Sequence, residues 1–172
     1  MRACADACEV KYMVAKQRWV VGSFIFAGLG LLAGALLHVV VLVGGPDWIA
    51  FVGAPASVVD SARSGTWLAP VGALSIAVLL ALWALYAFSA AGVVRRLPLL
   101  RTVLVFISVV FIVRGLIIIP ALAGGRINWR APIDLFVVAS SLLILTLGLS
   151  IAAGLTGCRN LRPATSDEVI QS

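Results

Sequence analysis

Along this chain, polarity changes in blocks rather than from one residue to the next. Four long apolar runs, 19–44, 66–94, 102–122 and 135–157, are separated by shorter polar or basic segments, and only one charged residue, Arg114, interrupts them. At a rise of about 1.5 Å per residue, even the shortest run reaches about 30 Å, the depth of a hydrocarbon core. Over such lengths a helix closes its own backbone hydrogen bonds, as lipid requires. Strands of a membrane barrel would run about ten residues with alternating polarity, a pattern missing here. The chain therefore reads as an all-α integral membrane protein, a four-transmembrane-helix bundle. The first two runs exceed the minimum and should tilt or extend into the interface.

Between the runs lie a basic leader (1–18), an outer connection (45–65), two short connections and a polar tail (158–172). Within 45–65 the apolar stretch 48–52 suggests a short interfacial or re-entrant piece. Gly124 and Gly125 should end the third helix and Pro132 should open the fourth. Trp67 and Pro70 at the start of the second run have counterparts in Trp129 and Pro132 at the start of the fourth. That pairing fits either a duplicated hairpin or the common preference of inbound helices for an interfacial Trp and a first-turn Pro.

Composition supports a membrane protein. Of 172 residues, 62% are hydrophobic and 12% charged, against roughly half and a quarter in soluble domains. That balance excludes an ordinary soluble domain and a disordered chain. The net charge of +6 does not indicate a nucleic-acid partner, because the basic residues gather between the runs rather than along one face. Their distribution instead sets topology. Arg2, Lys11, Lys16, Arg18, Arg95, Arg96, Arg101, Arg159 and Arg162 fall on one side, and Arg63, Arg126 and Arg130 on the other. The positive-inside rule then places both termini in the cytoplasm, with a bacterial inner membrane as the expected location. Trp19 at one edge and Trp48, Trp67 and Trp129 at the other suit headgroup depth.

A few residues inside the runs carry more than hydrophobicity. Arg114 is an intramembrane cation and so a functional candidate. Counting from the span ends puts His38 and Arg114 at similar depth in the outer leaflet. Together they could form a polar pocket for an anionic or carbonyl-bearing ligand, quinone-like or a lipid head group. The competing reading pairs Arg114 with Asp47, Asp60 or Asp134, or lets it snorkel. Trp83 and Tyr86, three residues apart, share a face. They form either a stacking wall for that ligand or core residues whose N–H and O–H are met by Ser75, Ser89, Ser108 or Ser140.

Gly30 and Gly34 form a GxxxG pair in a small-residue stripe with Ser23 and Ala27, and His38 continues that face. Ser141, Gly148 and Ala152 form a similar stripe on the fourth run, a candidate partner face. Helix packing accounts for Gly30, Gly34 and Gly148 without invoking a dimer. Cys4, Cys8 and Cys158 are too few for a tetrahedral zinc site and read as reduced thiols. No metal or cofactor is expected.

None of the four runs contains Asp or Glu, and no phosphate loop, HExxH or GxSxG motif occurs. The expectation is a non-enzymatic protein: an accessory or structural subunit of a membrane assembly, with lipid, other membrane subunits or its own copies as partners. The alternative is a small transporter or ligand-binding protein built around His38 and Arg114.

Overall fold

The computed structural model describes residues 2–95, 97–124 and 130–159. The side chains of 2–16, 121–122 and 158–159 lie outside that description, as do Arg126, Trp129 and Arg162. The chain forms α1 (Arg2–Gly44), α2 (Pro46–Phe51), α3 (Ala56–Arg63), α4 (Leu68–Ala90), α5 (Leu100–Leu116), α6 (Ile118–Ala123) and α7 (Pro132–Arg159). No strand occurs among the described residues. Four segments are long and apolar enough to cross a membrane: Gln17–Gly44, Leu68–Ala90, Leu100–Pro120 and Pro132–Gly157. This is the architecture of a multi-pass membrane protein.

Most of the apolar side chains on these helices face outward, among them Leu36, Val78, Phe106 and Leu149. Apolar surface of this extent would aggregate in water. In lipid it is the solvent-facing surface.

Several boundaries differ from those read off the hydropathy pattern. The connection 45–65 is largely helical. Gly45, in the left-handed region at φ 87°, turns the chain out of α1, and Pro46 at the first helical position opens α2. The third span is not one straight helix to residue 122. It pauses at Ile117 because Pro120 has no N–H for the Leu116 carbonyl, and it resumes as the short α6. The last helix opens at Pro132, as expected of that proline, three residues before the apolar run 135–157; this places Asp134 in its first turn, where a carboxylate suits the positive end of the helix dipole. One acidic residue therefore sits at the margin of a span that 135–157 left free of acids.

Close contacts at glycines fix the arrangement. A Cβ on Gly28 or Gly34 of α1 would meet Phe88 or Leu80 of α4, so these helices run antiparallel. Gly30 of α1 faces Leu147 of α7, while Gly154 and Gly157 of α7 face Phe24 and Val20 of α1. Gly115 of α5 lies against the backbone of Leu145, and Gly148 of α7 against Phe111 and Ile112. The order is up-down-up-down, with α1 seated between α4 and α7. The stripe of Ser141 and Gly148 was a candidate partner for the α1 stripe, but Gly148 packs on α5. The α7 residues that meet α1 lie on the neighbouring face, at Leu147, Gly154 and Gly157.

Packing is uneven along the bundle. Near the 91–99 connection, Val20, Phe24, Ala27, Leu104, Ile107 and Ile151 form a buried cluster joining α1, α5 and α7, with Tyr86 and Ala90 of α4 against it. At mid-height Leu31, Ala84, Phe111 and Leu147 continue it through all four spans. At the opposite end the core holds Val41, Ile49, Val59 and Ala69, from α1 through α4, with nothing from α5 or α7.

Candidate functional site

That uneven packing opens a cleft. Above the edge-on contacts of Trp83 with Phe106 and Phe111, at 6.4 and 5.6 Å between ring centroids, α4 parts from the α5–α7 pair. The space between them is about 620 Å³, within the range of roughly 300–1,000 Å³ typical of small-molecule sites. Its floor includes Leu31, Trp83, Phe111 and Leu147, and its walls include Ile76 and Leu79 of α4 and Leu143 of α7. Ile49, Val52 and Val58, in and around α2 and α3, line its upper end. There α2 reaches α7 through the Phe51–Phe136 ring contact at 5.6 Å.

The lining is mostly apolar. His38, Ser140 and Arg114 are its polar side chains beside the indole of Trp83, and no carboxylate lines it among the described residues. Three of the four residues singled out in the sequence, His38, Trp83 and Arg114, thus border one space. Tyr86 does not. It packs with the closed cluster below, although it lies three residues from Trp83. Of the four serines considered as partners for the Trp83 and Tyr86 donors, Ser89, Ser108 and Ser140 bond to other groups. Ser89 donates to the Arg95 carbonyl and accepts from the Leu97 N–H, pinning the 91–99 connection. Ser108 donates to the Gly148 carbonyl at 2.9 Å, and Ser140 to the Val137 carbonyl at 3.0 Å.

His38 and Arg114 differ in depth more than counting from span ends suggested. Gly115 lies beside Leu145 and Gly30 beside Leu147, which brings Arg114 to the height of Leu31. His38 stands seven residues further along α1, about 10 Å nearer the α2–α3 end. The discrepancy arises because the third span pauses at Ile117 and each helix starts at a different height. Arg114 is level instead with Trp83, whose ring contacts Phe111 one turn before it.

The two polar residues are also held differently. The Nδ1–H of His38 donates to the Gly34 carbonyl, one turn back, at 2.8 Å. Among the neutral tautomers that bond selects the one whose acceptor lone pair is on Nε2. Arg114 is exposed at the cleft and forms no ion pair or hydrogen bond with any described residue. Of the acids considered as its partners, Asp47 instead lies 3.9 Å from Arg63, an exposed pair of little energetic weight. Asp134 has a partner of its own.

No protein-family model matches this chain, and neither a curated protein nor a solved structure does. The site must be read from its own chemistry. The described residues contain no group of three or more metal-ligating side chains. The side chains of Cys4, Cys8 and Cys158 fall outside the described ones.

The sequence reading missed the apolar lining that makes this a cleft, notably Ile76, Leu79 and Leu143, because at those positions lipid-facing and cleft-facing residues look alike. It also missed Gly115, whose Cβ would come within 2.9 Å of the Leu145 backbone. Its place five residues before Pro120 was the signal available.

Proposed function

We propose that this is a non-enzymatic multi-pass membrane protein that takes a small, apolar-bodied molecule from the bilayer into the cleft between α4 and the α5–α7 pair. The carrying observation is the coincidence of three features: a cleft of about 620 Å³, an apolar lining, and an unpaired arginine beside its floor. A charge without a partner at mid-depth of a bilayer is costly. A site that receives a polar group there accounts for its presence. His38, with Nε2 as acceptor, adds a second polar point on the same wall system.

In this proposal both termini face the cytoplasm of a bacterial inner membrane, supported by nine Lys and Arg residues on that side against three opposite. The cleft then opens in the outer half. Native mass spectrometry of the protein released from its membrane tests the binding role. A retained apolar adduct that disappears in Ala73→Trp, which fills the cleft wall, is the expected result. A protein that arrives bare, or an adduct that Ala73→Trp retains, would overturn the reading.

An accessory role in a larger assembly is the second reading. It is supported by α1, which continues as a helix on the N-terminal side of its membrane-spanning part at Gln17. A helix rising past the bilayer offers a partner subunit a handle. Stoichiometric copurification of a foreign membrane subunit would favour it.

A further inference from the structure

Resting on the binding role proposed above, we infer that the occupant is a single-chain amphiphile with a carboxylate head, its carboxylate held by Arg114 at the cleft floor. Three observations lead there. The first is charge. Among the described residues, Arg114 is the only cation lining the cleft, no carboxylate lines it, and Arg114 has no partner. A guanidinium without a counterion in apolar surroundings attracts an anion, and its planar fork fits a carboxylate with two parallel N–H···O bonds.

The second is the donor set at one height. The indole N–H of Trp83 finds no acceptor among the described residues, and Trp83 is level with Arg114. Two open donors and no competing acceptor at the floor form a polar base beneath apolar walls. His38 and Ser140 lie higher, and each is already bonded to its own helix.

The third is size. At about 620 Å³ the cleft falls within the roughly 300–1,000 Å³ typical of small-molecule sites, a scale that suits one chain rather than a whole two-chain phospholipid. Depth agrees as well, because a bilayer phospholipid keeps its head at the interface, whereas Arg114 is level with Leu31, near the middle of the Gln17–Gly44 span. From Leu31 to Leu42 the lined wall of α1 runs about 16 Å, along which the chain lies toward the α2–α3 end.

The test uses the full chain in nonionic detergent with Trp83 as its only tryptophan, made by Trp19→Phe, Trp48→Phe, Trp67→Phe and Trp129→Phe. Three probes carry the same brominated chain: dibromostearic acid, its methyl ester and dibromo-phosphatidylcholine. The acid should quench Trp83 at concentrations at least about tenfold below the ester, as expected for charge-assisted bonds. Arg114→Gln should erase that difference, and Arg114→Lys, which keeps the charge without the fork, should preserve part of it.

Equal quenching by acid and ester, unchanged in Arg114→Gln, would overturn the carboxylate assignment while leaving the binding role standing. Preferential quenching by the phospholipid would replace the occupant with a two-chain lipid and also overturn the assignment. Failure of all three probes to quench would remove the binding role itself. Unfolding of Arg114→Gln, followed by circular dichroism, separates a lost site from a lost fold. If that variant does not fold, competition between unbrominated stearate and its methyl ester on the parent chain decides the same question.

Discussion

At the 91–99 end of the bundle α1, α5 and α7 close on one another, with α4 against them, around Phe24, Leu104, Ile107 and Ile151, all nearly inaccessible. At the α2–α3 end the same helices part. The remaining core there, Val41, Ile49, Val59 and Ala69, belongs to α1 through α4 alone. The contrast follows residue size. Where the helices close, glycines admit large neighbours: Gly28 takes Phe88, Gly154 takes Phe24 and Gly157 takes Val20. Above Leu80, α4 presents Gly72 and Ala73, and no bulky α5 side chain crosses the gap to meet them. Lipid is as apolar as leucine, so helices associate in membranes through close packing and interhelical hydrogen bonds. The closed half therefore carries most of the close packing, and the open half leaves the cleft.

The largest expected effect lies in the closed half. Phe24→Ala should lower stability in SDS-titrated unfolding by about 3 kcal/mol, the low end for truncating a core Phe in water, because the loss here is mainly one of packing. Ile76→Ala in the cleft wall should leave the unfolding midpoint nearly unchanged. Equal losses would erase the contrast between the two ends.

Glycines grade the effect next. Gly115→Ala places its Cβ 2.9 Å from the Leu145 Cα, which the helix cannot move aside, and should cost about 2 kcal/mol. Gly30→Ala meets only the Leu147 side-chain end and should cost about 1 kcal/mol in the same assay. A reversed order would mean that the α1–α7 seam, not α5–α7, is the rigid one.

Hydroxyls refine the comparison at the smallest scale. Ser108→Ala removes the bond to the Gly148 carbonyl and should cost about 0.6 kcal/mol. Ser141 is 1% exposed and its Oγ has no partner among the described residues, so Ser141→Ala should leave stability unchanged or raise it. A loss at Ser141 matching that at Ser108 would reveal a hydrogen bond at Ser141 in the membrane.

The four spans were legible because each is a long block of one polarity, and block length alone identifies a helix that can cross a bilayer. Pro46 at the start of α2 marked helix inside the outer connection, and Pro120 marked the pause after Leu116. Both signals were outweighed by the apolar run or the loop around them. The site was legible in part. Arg114 and His38 stood out because they are polar residues in apolar runs, and Trp83 because it is the tryptophan away from the boundaries. Their relative heights and the exclusion of Tyr86 depend on interhelical register, which residue counts along separate helices do not contain. The cleft itself is a matter of where helices diverge, and apolar residues read the same beside lipid and beside an empty wall.

The bundle is packed shut at one end and holds a cleft at the other, the division on which the proposed binding role rests. Spin-label distance measurement in lipid nanodiscs tests it most directly, on a chain with Cys4, Cys8 and Cys158 replaced by serine. One pair of labels at Ile76→Cys and Leu143→Cys spans the cleft, and a second at Ala90→Cys and Val103→Cys spans the closed end. A long, broad separation across the cleft beside a short, narrow one at the closed end is the predicted outcome. Short, narrow separations at both ends would contradict it.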